Sequence, residues 1–439
     1  MAQIEAETQW LRDGILQKIL KSGRLVDNYA DAKEETFKVG DIEIDVIGHT
    51  EAFMITFCYR AIVNFEYDGV KYQRKFVVKK TPPMPPDVYE SIQFEQLFTN
   101  EINFYTEILP EIQKASGGKF PAPRYFYSEL NQYSAVVILE NFAVDGWRVT
   151  KDRVGLSLEH AIVAATHLGH FHGFFYALKH KNPEKFDQLT GGLKESRFST
   201  ENMNPEWDLS LKISLKRVEK ATETYQPQIE KEFVKKFCAL VTDYFNYGKQ
   251  RVAPREPLAT LCHGDYVRNN VAYKYNDKDE PLEIMMFDYQ TLRVSSPMID
   301  LSVFLAIALY ADVRYPNFDA IFDEYVSALY DSYRREAHDE VPESLSRLEL
   351  LKEYVRFLPY STSITSSFLA ALVEPSPIPI EEMIKNPPSE QEIIERTMTT
   401  GGEVVDREIA HQVKEMLELS QLCEVPIDDG IDVNALKKE

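Results

Sequence analysis

Cysteine is scarce in this chain. Cys58, Cys238, Cys262 and Cys423 are the four thiols in 439 residues, widely separated and without a C-x-x-C pair, so neither a disulfide framework nor a cysteine zinc site organises the fold. Reduced thiols in a cytoplasmic setting are the expectation. Basic residues are in deficit: 49 Lys and Arg against 70 Asp and Glu leave a net charge of −21. That charge repels a phosphate backbone and sets aside nucleic acid and anionic membrane surfaces as partners. Long apolar runs are missing too. The longest, Leu301 to Tyr310, is too short to span a bilayer, and the opening MAQIEAETQW lacks the basic start and apolar stretch of a signal peptide. Neither membrane insertion nor export is expected. Glycine and proline, 18 and 23 residues, are too few for a disordered chain, and no internal repeat is visible.

What is present is the composition of a folded protein, 44% hydrophobic and 12% aromatic, in a chain long enough for two cores. Around Trp10 to Leu20, Leu11, Ile15 and Ile19 recur at four-residue steps, which predicts an amphipathic packing helix. Apolar residues alternate from Ile42 to Val46. Two longer β-rich runs, Met54 to Tyr67 and Val70 to Lys79, flank Asp68-Gly69, a strong hairpin signal. The proline cluster from Thr81 to Pro86 ends the second run. A helix from Asp87 to Ile108 follows, stopping before Pro110, and strands near Tyr125 and from Ala135 to Leu139 complete about five strands with one long helix. Beyond Trp147 the pattern becomes helical, at Leu158 to Lys179, Asp208 to Tyr225 and Ile229 to Tyr247, with a short β section around 271 to 287. The predicted fold class is therefore α+β, an antiparallel sheet with a helix followed by a mainly helical part. The predicted units are a helical extension (1–36), a sheet unit (37–145), a helical unit (146–400) and an acidic C-terminal segment (401–439).

The segment LCHGDYVRNNVAYKYNDKDEPLEIMMFDYQ, residues 261–290, carries the chemistry. Val271 to Tyr275 and Glu283 to Phe287 read as short strands joined by the polar turn Asn276 to Pro281, and should pair as a hairpin. Asn270, just before the first strand, and Asp288, just after the second, then meet at its open end. An amide oxygen and a carboxylate facing one space suit hard magnesium, which phosphoryl-transfer sites bind through one or two side chains plus nucleotide phosphates. Asp265, five positions before Asn270 on the same loop, can reach a hydroxyl brought up to a γ-phosphate and is the candidate base. Phosphoryl transfer needs an oriented nucleophile, neutralised charge and in-line groups, and a carboxylate, two metal ligands and a phosphate-pairing lysine suffice. ATP and magnesium are the implied cofactors. The negative overall charge does not forbid ATP, because local donors handle its phosphates.

The text HGDYVRNN, then FDYQ, then SPMIDLSVFL resembles the insect ecdysteroid kinase-like family, within the wider group of choline and aminoglycoside kinases. The resemblance extends to VVKKTPP (77–83), FTNEINFYTEILP (98–110), VVILENF (136–142) and LGHFHG (168–173), roughly residues 40 to 370. It implies a bilobal protein-kinase-like fold. It also implies that Asp265 is the catalytic aspartate, Asn270 and Asp288 the metal ligands, and Glu101 the helix glutamate that pairs with a strand lysine. Lys79 is the better match for that lysine and Lys80 the alternative; adjacent strand residues point to opposite faces, so one faces nucleotide and the other solvent. Backbone groups of Glu140, Asn141, Phe142 and Ala143 correspond to the adenine-binding hinge. The implied acceptor is a small lipophilic alcohol, an ecdysteroid in the name-giving members, with hormone inactivation or detoxification as the role. Two features depart from the pattern. The phosphate-covering loop IGHTEAF (47–53) keeps just Gly48, and Asp-Phe-Gly is replaced by Asp-Tyr-Gln, with its aspartate intact.

Plainer readings stand beside these. Asp300, ahead of an apolar run, reads as a helix-start carboxylate, and the resemblance gives it the task of bracing the catalytic loop. His263 reads as a loop anchor. His160, His167, His170 and His172 cannot share one metal, because at 100° per residue they spread around the helix; His172 reads as a hydrogen-bonded core residue and the others as surface. Phe171, Phe174 and Phe175 read as core. Two other functions compete: a pseudokinase that keeps the pocket without transfer, and a choline-like or amino-sugar kinase with a cationic acceptor.

Overall fold

The computed structural model describes residues 2–48, 56–199, 205–376, 378 and 386–436. Its first part is a five-stranded antiparallel sheet in the order β1-β2-β3-β5-β4, made of β1 (Lys38–Val46), β2 (Phe57–Tyr67), β3 (Val70–Lys80), β4 (Tyr125–Asn131) and β5 (Ser134–Glu140). Asp68 and Gly69 both take positive φ, 52° and 73°, so the β2–β3 link is the tight turn its sequence favours. Alternation sorts the two faces. Tyr59, Ala61, Val63, Phe65, Phe76 and Val78 point one way and are covered by Leu11, Ile15, Leu16 and Ile19 of the N-terminal helix, which runs as α1 (Ala2–Trp10), a wide turn, and α2 (Leu16–Lys21). Val137 and Leu139 point the other way, into a core shared with the rest of the molecule.

The helix expected from Asp87 to Ile108 is broken and longer. It forms α3 (Pro86–Ile92), bends at Gln93 (φ 66°), resumes as α4 (Phe94–Asn103), widens into a π-turn (Phe104–Ile108) and continues through Pro110 as α5 (Leu109–Ser116). Proline is accommodated directly after the π-helical turn, at the start of the last segment.

The second part is helical: α6 (Leu158–Lys181), α7 (Pro183–Thr190), α8 (Pro205–Tyr225), α9 (Lys231–Val241), α10 (Tyr244–Val252), α11 (Met298–Ala308), α12 (Ala311–Ala337), α13 (Arg347–Val373), α14 (Glu390–Thr399) and α15 (Gly402–Leu422). Where one helix was expected from Ile229 to Tyr247, Asp243 accepts from the Asn246 amide and starts a second. Short strands interrupt the helices. β6 (Thr260–Cys262) pairs with β9 (Arg293–Ser295), and β7 (Val271–Tyr275) with β8 (Pro281–Met286), giving an α+β fold overall. Gly169 and Gly173 let α6 lie directly on α12; a Cβ at either would sit 2.3 Å from the carbonyl oxygen of Tyr325 or Leu329.

The acidic segment after residue 400 is not set apart from this body. Val405, Ile409, Val413 and Met416 of α15 are fully buried in the large core. Beside them Arg314 of α12 donates to both carboxylate oxygens of Glu415 (2.9 and 2.8 Å) and lies 2.8 Å from Glu408. Among the described residues no helix is long and apolar enough to cross a membrane.

Candidate active site

The hairpin that carries the site is built by its sequence. Val271 pairs with Met286 and Tyr273 with Ile284, while Asn276 closes the turn by accepting from the amides of Lys278 (2.9 Å) and Glu280 (3.0 Å). The ladder runs one rung further, since the Phe287 amide donates to the Asn270 carbonyl at 3.0 Å. Asn270 and Asp288 therefore flank the same end of the hairpin. Asn270 donates its amide nitrogen to both the carbonyl and the carboxylate of Asp265, 2.9 Å each, and its side-chain oxygen, with lone pairs to offer a metal, takes no part in those two bonds.

The loop from His263 to Asn270 is held from beneath. Asp300, fully buried, accepts the amides of His263 and Gly264, 2.7 Å each, and receives His172 at 3.2 Å. His172 is fixed by the Tyr325 hydroxyl at 3.0 Å. Asp300 thus serves the loop and not its own helix. The triplet His172, Cys262 and Asp300 comes close enough to resemble a metal site, but hydrogen bonds to Tyr325, His263 and Gly264 already occupy the histidine and the carboxylate. His263 points its Nε2 at the Phe287 carbonyl (3.0 Å), anchoring the loop to the hairpin. Gly264 has φ 81°, and a Cβ there would lie 2.1 Å from the Thr291 carbonyl oxygen, so no other residue fits.

Opposite the hairpin, strand alternation sends Lys79 into the cleft. Its ammonium lies 2.6 Å from both Glu101 of α4 and Asp288, and 3.4 Å from the Gln290 side chain. Lys80 points to the other face, where solvent was expected. It finds Glu7 of α1 at 2.8 Å and the Trp10 ring at 3.8 Å. Burial pulls the Lys79 pKa down, but Asp288 and Glu101 outweigh it and hold the group above the ordinary lysine value. Glu101 is buried; desolvation, reinforced by Asp288 and opposed by Lys79, pushes it up to about 7. One ammonium here serves two carboxylates.

The linker after β5 is a short 3-10 turn (Phe142–Asp145) capped by Asn141, whose side chain accepts from the Ala143 amide at 3.2 Å. The Asn141 amide itself donates to the Lys75 carbonyl, 2.9 Å. Asn141 and Ala143 thus lie beside β3 with their amides engaged within the chain. Of the phosphate-covering loop, residues 49–53 lie outside the described residues. The Tyr289 ring of Asp-Tyr-Gln stacks on Phe104 and packs against His263, joining the π-turn to the loop, and its hydroxyl donates to the Met286 carbonyl at 3.1 Å.

Sequence reasoning missed Arg197. Its guanidinium stands 3.6 Å from the free side of the Asp265 carboxylate and donates to the Tyr360 hydroxyl at 3.2 Å. It lies 68 positions before Asp265 in a stretch without periodic signal, so nothing local announces it. The helix histidines were also misplaced. His160 bonds Ser157 and Tyr275, and His167 and His170 are part-buried, with burial lowering both, His167 to about 3.

The model of the ecdysteroid kinase-like family matches residues 50–336, more than half of the chain. No curated protein matches. Among solved structures, a spectinomycin phosphotransferase in complex with ADP and spectinomycin aligns with 86% of this chain and 94% of its own, at 12% identity and a TM-score of 0.38. A Plasmodium vivax ethanolamine kinase aligns over 88% and 86% at 13% identity and 0.33, and an aminoglycoside-3'-phosphotransferase of type VIII over 77% and 98% at 15% identity and 0.25.

Proposed function

Since the chain belongs to the ecdysteroid kinase-like family, we propose that it is an ATP- and magnesium-dependent kinase that phosphorylates a hydroxyl of a small lipophilic alcohol, ecdysteroid-like by family. The observation that carries this reading is the convergence of Lys79, Glu101 and Asp288 through one ammonium, with Asn270 and Asp265 joined on the loop at the same hairpin end. In this reading 37–145 is the nucleotide-binding lobe and 146–400 supplies the catalytic loop and acceptor pocket.

The donor set fits magnesium: the Asn270 amide oxygen and the Asp288 carboxylate are hard oxygens of the kind that ion takes together with phosphates. When bound, the ion neutralises phosphate charge. Lys79, kept in place by Glu101, adds a positive charge to the phosphates, and backbone groups at Asn141 to Ala143 border the adenine. Asp265, oriented by the Asn270 amide, receives the acceptor hydroxyl and aligns it with the γ-phosphorus. The β7–β8 hairpin, braced through Asp300, supplies the rigidity that alignment requires.

The Arg197 guanidinium beside Asp265 weighs against a cationic acceptor, which would meet like charge at the reacting hydroxyl. The test is transfer from labelled ATP to a panel of sterols, other alcohols and choline. Asp265→Asn should lower transfer by at least about 10²-fold while sparing nucleotide binding, and Asp288→Ala should abolish the magnesium dependence of that binding. Nucleotide binding without labelling of any acceptor by the wild type would favour the pseudokinase instead.

A further inference from the structure

We propose that Arg197 is a second catalytic residue, whose guanidinium moves from the Asp265 carboxylate to the oxygens of the transferring phosphoryl group. The inference rests on the phosphotransferase reading above.

The placement of Arg197 is built, not incidental. Glu195 accepts the amides of Arg197 (2.8 Å) and Phe198 (2.9 Å), and its other oxygen receives Arg293 at 3.0 Å. Arg293 lies on β9, which pairs with the strand that ends directly before His263. The turn carrying Arg197 and the loop carrying Asp265 are therefore anchored to one strand pair. Tyr360 holds the guanidinium from the far side and stacks on Tyr244 at 6.1 Å.

The contact with Asp265 is incomplete in an informative way. At 3.6 Å it exceeds hydrogen-bond length, so attraction holds the pair without a directed bond. A planar guanidinium matches two phosphoryl oxygens better than this single carboxylate edge. An acceptor oxygen bonded to Asp265 must also approach the γ-phosphorus to about 3–3.5 Å. The phosphoryl oxygens then fall within the reach of a side chain already beside that carboxylate.

Charge points the same way. Lys79 is divided between Glu101 and Asp288. Among the described residues, Arg197 is the other cation within salt-bridge distance of the proposed catalytic carboxylates. In the transfer itself the acceptor oxygen forms a bond to the γ-phosphorus, the bond from that phosphorus to the bridging oxygen breaks and ADP leaves. The hydroxyl proton passes to Asp265. The guanidinium keeps its charge throughout, and it stands beside Asp265 where the phosphoryl oxygens arrive.

The test compares binding of ADP and of β,γ-imido-ATP, both with magnesium, in wild type, Arg197→Met and Arg197→Lys, alongside turnover. The wild type should prefer the triphosphate by about 10-fold or more, a step of about 1.4 kcal/mol. Arg197→Met should lose that preference with ADP affinity intact, Arg197→Lys should keep part of it, and turnover of the Met variant should fall about 10³-fold. An unchanged preference in Arg197→Met overturns the inference and leaves the kinase reading standing. Parallel loss of ADP affinity also overturns it, since a merely structural residue would act that way. If the Met variant does not fold, the Lys variant decides by the same preference. A wild type that binds neither nucleotide overturns both readings.

Discussion

Replacing Arg314 by methionine isolates what holds the C-terminal helix to the body. The side chain is 1% exposed and faces Glu415 bidentately and Glu408 singly, with the Leu305 and Leu309 carbonyls on its remaining nitrogen (3.3 and 2.8 Å). Methionine keeps most of the volume and leaves two buried carboxylates without their cation. Burial alone would raise Glu415, yet Arg314 and a contact from His411 bring it down to about 2. Against the ordinary 4.5, that drop corresponds to about 3 kcal/mol favouring the ionised form. Removing one partner of a buried pair costs about 3–5 kcal/mol, so the two routes agree. The sign follows from linkage: a carboxyl whose folded pKa is lowered contributes fully above its unfolded value and loses that contribution as pH falls through the folded one. The deficit of Arg314→Met should be full at pH 7 and shrink between about pH 5 and pH 2. Urea unfolding of both proteins at pH 7 and pH 4, followed by helical circular dichroism, measures it. A deficit under about 1 kcal/mol at pH 7, the size of a surface pair, would falsify the reasoning, as would one that ignores pH.

Two further outcomes follow from the site. Gly264→Ala should destabilise by at least about 2 kcal/mol, because the new Cβ meets a carbonyl in a left-handed conformation, and turnover per folded molecule should fall as the loop shifts; wild-type turnover in a stable variant would refute it. Glu101 has its folded pKa raised to about 7, so its ionisation costs stability that is intact below pH 4.5 and lost as pH rises through 7. Glu101→Gln should therefore gain in stability relative to the wild type as pH rises from 5 to 8, and parallel urea midpoints at the two pH values would contradict this.

Local signals carried much of the fold. Alternation and Asp68-Gly69 announced β2 and β3, and the turn from Asn276 announced β7 and β8. From that hairpin alone the meeting of Asn270 and Asp288 could be anticipated. What local signals could not supply were contacts set by packing. The bend at Gln93 and the passage through Pro110 depend on how α4 and α5 fit the core beneath the sheet. Lys80 looked solvent-facing because Glu7 and Trp10 lie far away in sequence. Asp300 looked like a helix cap because its partners, His263, Gly264 and His172, arrive from two other elements. Arg197 was invisible for the same reason: Glu195 is its near neighbour, but Arg293, which holds Glu195, and Tyr360 are brought in by the tertiary fold alone.

The ammonium of Lys79 joins the sheet to the end of the hairpin across 209 positions of chain. A carboxylate claimed by an internal cation must be surrendered before it can serve an external one, so in the proposed kinase the Lys79–Asp288 pair would part as magnesium binds. On that reading metal entry would exchange one positive charge for another at the point where the sheet meets the hairpin.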